Sequence, residues 1–179
     1  MTGAAGGSPL RPLTHVQRVE KFGRFTFTAT PTPANPEAIR IDPAWVRANI
    51  AGFEVLQMAK LGRPTRVDFH RLAGHRLVEM WQAWDDAGLL DRVRTFNGAW
   101  VPRYKRGKAG GGPASLSNHS WGTALDVNAK WNPLGKEPAA LGAIGCVREL
   151  VPLAEAHGFA WGGNFKARPD GMHLEFVGS

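Results

Sequence analysis

Two short stretches of alternating residues, Thr123–Asn128 and His173–Val177, constrain this chain most. Each reads as a strand with an ionisable side chain on one face and aliphatic side chains on the other. In the first, Ala124, Asp126 and Asn128 fall on one face and Thr123, Leu125 and Val127 on the opposite one. In the second, His173, Glu175 and Val177 oppose Leu174 and Phe176. The aliphatic faces call for a core, which leaves the polar faces free to form a site. Gly122 permits a sharp turn just before the first strand, so His119 can come close to Asp126 without a long loop.

His119, Asp126 and His173 then supply two imidazoles and one carboxylate. Three protein ligands leave one coordination position for water, the arrangement of a catalytic rather than a structural zinc site. One Zn2+ per chain is the cofactor expected. Asp170, in the turn just before the second strand, is a spare carboxylate suited to general-base work, since Asp126 is committed to the metal. Arg103 is permanently protonated and fits the stabilisation of a developing oxyanion. Ser117 is a candidate for hydrogen-bonding substrate, and Glu175 or Asn128 for orienting a ligand imidazole.

Ser117, His119, Gly122, Ala124 and Asp126 fill every fixed position of the pattern Ser-x-His-x-x-Gly-x-Ala-x-Asp, and Asp170 with His173 fill an acidic-x-x-His pattern with Trp161-Gly162 upstream. In these two motifs the chain resembles the zinc D-alanyl-D-alanine carboxypeptidase and L-alanyl-D-glutamate endopeptidase family, with its VanY-like and VanX-like members and phage endolysin peptidases. The resemblance spans Thr95 to Val177. It implies an α+β fold: a small antiparallel sheet carrying the zinc site, with helices packed on its other face. It also implies an arginine on a strand leading to the first motif, for which Arg103 is the matching position. Asp170 stands where the VanX-like dipeptidases carry Glu, which favours the endopeptidase branch. The expected activity is zinc-dependent hydrolysis of peptidoglycan stem peptides, with an L-alanyl-D-glutamate endopeptidase first and a D-alanyl-D-alanine carboxypeptidase second. A non-catalytic zinc-binding module of the same fold is the rival from another class. Retaining zinc requires neither Asp170 nor Arg103, so their presence speaks against it.

The formal net charge of +7 calls for an anionic partner or none. Outside Arg103–Lys108 the basic residues are dispersed, without the aromatic interleaving of a single-strand nucleic-acid surface, so no nucleic acid is expected. A polyanionic bacterial wall would attract such a surface. No run approaches the roughly 18 apolar residues of a membrane span. The first dozen residues lack the basic start and apolar run of a signal peptide. The expected location is therefore cytoplasmic synthesis with action on the wall after release or delivery by another route, and the expected state is a monomer. Cys146, the only cysteine, reads as a small buried hydrophobe. Gly107–Pro113 departs from a nucleotide-binding loop, because Ala109 follows Lys108 where Ser or Thr is required; a mobile loop beside the cleft fits better.

At 179 residues the chain suits one domain. The expected division is a flexible tail over 1–20 and a single peptidase domain over 21–179, with 21–68 an extension packed on the core. Within it, Lys21–Thr30 reads as a strand, Thr30–Pro36 as a proline-rich linker, and Asp42-Pro43 as a helix start with Trp45, Ile50 and Phe53 facing inward. An amphipathic helix is expected over His70–Ala87, with Leu77, Met80, Trp81 and Trp84 as its apolar stripe. His70 and His75 lie about 140° apart on such a helix and cannot share a metal. Short strands are expected over Val93–Trp100, a helix over Cys146–His157 stopped by Gly158, and a strand over Phe159–Trp161.

Overall fold

A computed structural model describes residues 8–178. It is a mixed α+β structure built on small antiparallel sheets. Among the described residues, four helices run over His15–Phe22 (α1), Pro43–Asn49 (α2), Gly74–Asp86 (α3) and Val151–Ala156 (α4). Strands β1 (Phe27–Ala29) and β2 (Ile39–Ile41) form one hairpin, and β3 (Ile50–Glu54) and β4 (Arg66–His70) another. The remaining strands, β5 (Phe96–Gly98), β6 (Ala124–Val127), β7 (Phe159–Trp161) and β8 (His173–Phe176), make a four-stranded antiparallel sheet in the order β5-β6-β8-β7.

Alternation in β6 and β8 works as the residues dictate. Leu125 pairs with Leu174 across the ladder, and both are fully buried in a core shared with Val127, Phe159 and Phe176. Helix α3 adds Leu77, Met80, Trp81 and Trp84 to that core, all without solvent exposure, and Trp84 Nε1 donates to Leu150 O at 3.0 Å. Its apolar stripe therefore packs as the 3.6-residue period requires. Cys146 is buried and free. Among the described residues no helix is long and apolar enough to cross a membrane.

Several boundaries differ from the sequence expectations. Residues 1–7 of the expected tail lie outside the described residues, but residues 15–20 are helical: Thr14 caps α1 through a reciprocal capping box with Gln17, and Arg18 and Phe22 are buried. Lys21 and Phe22 consequently end a helix rather than begin a strand, with Gly23 turning the chain at φ +87°. Thr30–Pro36 closes the β1–β2 hairpin, with Thr30 N donating to Ala38 O. Asp42 caps α2 as its sequence indicates, accepting from Ala44 N at 3.0 Å, yet Ile50 and Phe53 belong to β3.

The helix expected from His70 begins only at Gly74, because Val67 and Phe69 alternate into the core and carry Arg66–His70 onto β3 as a strand. The buried His70 ring accepts from Leu72 N at Nδ1 and faces Phe22 O through Nε2, a neutral pattern that burial favours by lowering its pKa. Helix α4 is shorter than Cys146–His157 because Pro152 fits only a first helical turn; residues before Val151 turn without continuous helix.

Candidate active site

The register of β6 on β8 sets the site. Asp126 pairs directly with His173, and Ala124 with Glu175, so Asp126, His173 and Glu175 project from one face while Leu125 and Leu174 enter the core. His119 arrives from a single 3-10 turn, Asn118–Trp121, which stops at Gly122 in the left-handed region (φ +66°). A Cβ at Gly122 would stand 2.8 Å from Ile50 Cδ1 and 3.1 Å from His70 N. The turn is thus pressed against the β3–β4 hairpin, and His70 N donates to Gly122 O at 2.7 Å. We expect Gly122→Ala to destabilise the fold by on the order of 1–3 kcal/mol, from strain at positive φ together with this contact. Chemical denaturation of wild type and variant at one zinc concentration would measure the loss.

The result is a tight constellation. Ligand atoms of His119, Asp126 and His173 all lie within 4.8 Å of one another. Asp126 Oδ1 is 3.2 Å from His119 Nε2 and 3.0 Å from His173 Nδ1. The remaining ring nitrogens are engaged on the far side: His119 Nδ1 faces Ala99 O at 2.6 Å, and His173 Nε2 faces Glu175 Oε2 at 3.1 Å. An N–H donated to those oxygens leaves one lone pair per imidazole directed at the common point, as metal ligation requires. The three residues fit a zinc ion by donor chemistry and by this fixing of both tautomers.

Electrostatics follow the same geometry. Burial opposes ionisation of Asp126, but the two imidazoles overcome it and hold its carboxyl well below the usual carboxylate range. Burial likewise opposes a charge on His173, yet hydrogen bonds to Asp126 and Glu175 push it up to about 10. A metal ligand must give up that second proton, so a proton and a cation compete for His173 Nδ1.

Asp170 behaves differently. Burial raises its carboxyl pKa, Asp126 adds to the rise, and His173, His119 and Arg103 oppose it. Its Oδ1 is buried without a hydrogen-bond partner. Trp161 and Gly162 explain how it is placed: Trp161 Nε1 donates to Gly171 O at 2.9 Å, and a Cβ on Gly162 would meet Asp170 O at 2.5 Å.

Asp170, His119 and His173 open onto a cleft of about 410 Å³ that Arg18, Arg103, Lys105, Ser117 and Arg168 also line. Arg103 is carried by an isolated bridge to Ala38, not by a continuous strand as the resemblance implied. Its backbone is clamped by Ser120, whose Oγ accepts from Arg103 N at 3.0 Å and donates to Arg103 O at 2.8 Å. Residues 107–113 follow the cleft-lining Arg106 but supply none of the lining among the described residues. Arg106 itself pairs with Glu37 at 2.8 Å.

Residues 110–176 match the D-alanyl-D-alanine carboxypeptidase family. The match supports the family resemblance carried by the two motifs and includes His119, Asp126, Asp170 and His173, while Arg103 lies outside it. It supports a metallopeptidase that acts on peptidoglycan. No curated protein and no solved structure matches the chain.

Asn128 departs from the role expected of it, and Asn118 takes one that its sequence position does not announce. Asn128 orients no imidazole: Oδ1 accepts from Arg94 N and Thr95 N, and Nδ2 donates to Arg92 O and Gly145 O. All its hydrogen-bonding capacity is consumed in tying loops together. Asn118, the variable residue between Ser117 and His119, donates through Nδ2 to Glu175 Oε2 and so braces the carboxylate behind His173. Its only sequence signal is its place inside the first motif.

Proposed function

We propose that the chain is a zinc-dependent peptidase of peptidoglycan stem peptides, most specifically an L-alanyl-D-glutamate endopeptidase, with D-alanyl-D-alanine carboxypeptidase activity as the second reading. The convergence of His119, Asp126 and His173 beside the unpartnered carboxyl of Asp170 carries the proposal. The three ligands would hold a zinc ion, which when bound lowers the pKa of water and polarises a carbonyl. Ala99 O and Glu175 fix which nitrogen each imidazole offers. Asp170, facing the same cleft and bound to nothing else through Oδ1, takes the proton of the attacking water and returns it to the leaving amine. Burial that raises its carboxyl pKa brings that base closer to neutral pH, where proton transfer in both directions is efficient.

Arg103 enters the cleft as a cation that sheds no proton, and we assign it to the oxyanion that develops on the scissile carbonyl. We assign Ser117, buried at the cleft wall, to a hydrogen bond with substrate backbone. The D,D-carboxypeptidase reading is favoured by the description of the matched family; the endopeptidase reading is favoured by Asp170 in place of Glu in the second motif. With its lining arginines and lysine, the cleft suits acidic stem peptides of the wall.

Mass spectrometry of digested muropeptides distinguishes the activities: release of terminal D-alanine marks the carboxypeptidase, and a new L-alanine end on the sugar strand marks the endopeptidase. Muropeptides left intact by the zinc-loaded chain would refute both. On whichever substrate is cut, Arg103→Ala is expected to keep its zinc and lose about 10²- to 10³-fold in kcat/KM, with only partial rescue by Arg103→Lys. Wild-type kinetics in Arg103→Ala would return the residue to the basic surface.

A further inference from the structure

Helix α1 lies outside residues 110–176, yet it delivers a charged side chain to the site. Arg18 is only 5% exposed, and its Nη2 stands 3.9 Å from Glu175 Oε1. The same nitrogen donates to Leu13 O at 2.8 Å, and the guanidinium lies 5.5 Å from the centroid of a Trp121 ring. These contacts fix the cation on three sides. Glu175 is 2% exposed, and its two oxygens face different partners: Oε1 turns towards Arg18, while Oε2 accepts from Asn118 Nδ2 and His173 Nε2.

We propose that Arg18 is a positioning residue for the metal site, holding Glu175 as an oriented anion against the Nε2–H of His173 so that His173 Nδ1 is presented to the ion. The inference rests on the metallopeptidase reading. A carboxylate this deeply buried is costly without a counter-charge, and removal of one member of a buried pair leaves the other uncompensated. Without Arg18, nothing holds Glu175 Oε1, and the carboxylate is free to turn away from His173. That turn removes the acceptor that holds the imidazole, and loss of such an outer partner weakens metal binding. Residues that donate to or ligate the metal are supplied by the matched region, but the charge that steadies them comes from a segment preceding it. The N-terminal helix is thereby a working part of the site rather than a covering of the core.

Zinc affinity, measured by competition with a chromophoric chelator, tests this without substrate. Arg18→Met, which keeps the apolar stem and removes the charge, is expected to bind zinc about 10- to 100-fold more weakly than wild type. Arg18→Lys restores the charge without the planar geometry and should fall between the two. Where the methionine variant fails to fold, Arg18→Gln takes its place: wild-type zinc affinity in a folded Arg18→Gln, which has lost the charge, would overturn the proposal. In a folded Arg18→Met, Glu175→Gln should add little to the loss, since both changes break one chain of contacts; fully additive losses would overturn it. So would wild-type zinc affinity in Arg18→Met, and if that variant also showed a raised KM, Arg18 would be a substrate contact instead. A wild-type chain that binds no zinc overturns the metallopeptidase reading, and this inference with it; tight wild-type binding unchanged in Arg18→Met overturns this inference alone.

Discussion

His119→Ala is expected to cost the chain its zinc and all measurable peptide hydrolysis. Asp126 and His173 alone would leave a two-ligand site, short of the three protein ligands that hold a hydrolytic zinc. The substitution also strands Ala99 O, which loses the Nδ1–H that faces it, and leaves Asp126 with one imidazole instead of two. Part of the effect is therefore electrostatic: the carboxylate that the two rings keep ionised loses the support of one of them. Elemental analysis after dialysis against a weak chelator should give about one zinc per wild-type chain and none for the variant. Stoichiometric zinc in folded His119→Ala would remove this constellation from consideration. Circular dichroism on the same samples separates metal loss from unfolding, because the core face of β6 and β8 is untouched by the change.

The sheet was legible where alternation and chemistry coincide. Thr123–Asn128 and His173–Val177 mark β6 and β8 to within a residue, because their aliphatic faces repeat every second position and their polar faces carry ionisable groups. The register that sets Asp126 opposite His173 then follows from burying Leu125 against Leu174. Arg66–His70 shows the opposite case. Val67 and Phe69 alternate as strongly, yet the helix expected over His70–Ala87 claims the last residue of this strand and leaves the others without an element. Only the pairing with Ile50–Glu54, a contact across the chain, decides for a strand. Helix α4 failed at its start for a local reason, Pro152, that the sequence does display.

Within the site, the residues that touch the common point sit at fixed spacings in the two motifs and could be read directly. Those that act behind them could not. Asn118 occupies a variable motif position, and Arg18 lies in a stretch whose composition suggests a tail; each gains significance only by meeting Glu175 across 57 or 157 residues. Asn128 misleads in the opposite sense, since it shares a strand face with Asp126 in the alternation but leaves β6 with φ +57° and turns to the loops. A polar residue at a strand end has an orientation that periodicity does not fix.

Asp170→Ala is expected to keep zinc and fold while losing about 10²- to 10⁴-fold in turnover, the usual contribution of a positioned general base. Three features of the residue lead to this. Its Oδ1 is buried with no partner, so no structural hydrogen bond is lost with it. It is absent from the trio that could ligate metal, so zinc affinity should change little. Burial disfavours its charge, so removing the carboxyl relieves a desolvation cost, and the variant should be no less stable than wild type. Asp170→Asn keeps the shape without the basicity and should be as inactive as the alanine variant. This isolates proton transfer from packing around Gly162. Single-turnover rates on a defined muropeptide, with zinc content and melting temperature measured on the same protein, give the readout. Full activity in both variants would pass the role of base to Glu175, the other cleft carboxylate, whose bonds to His173 and Asn118 would then have to break during each turnover.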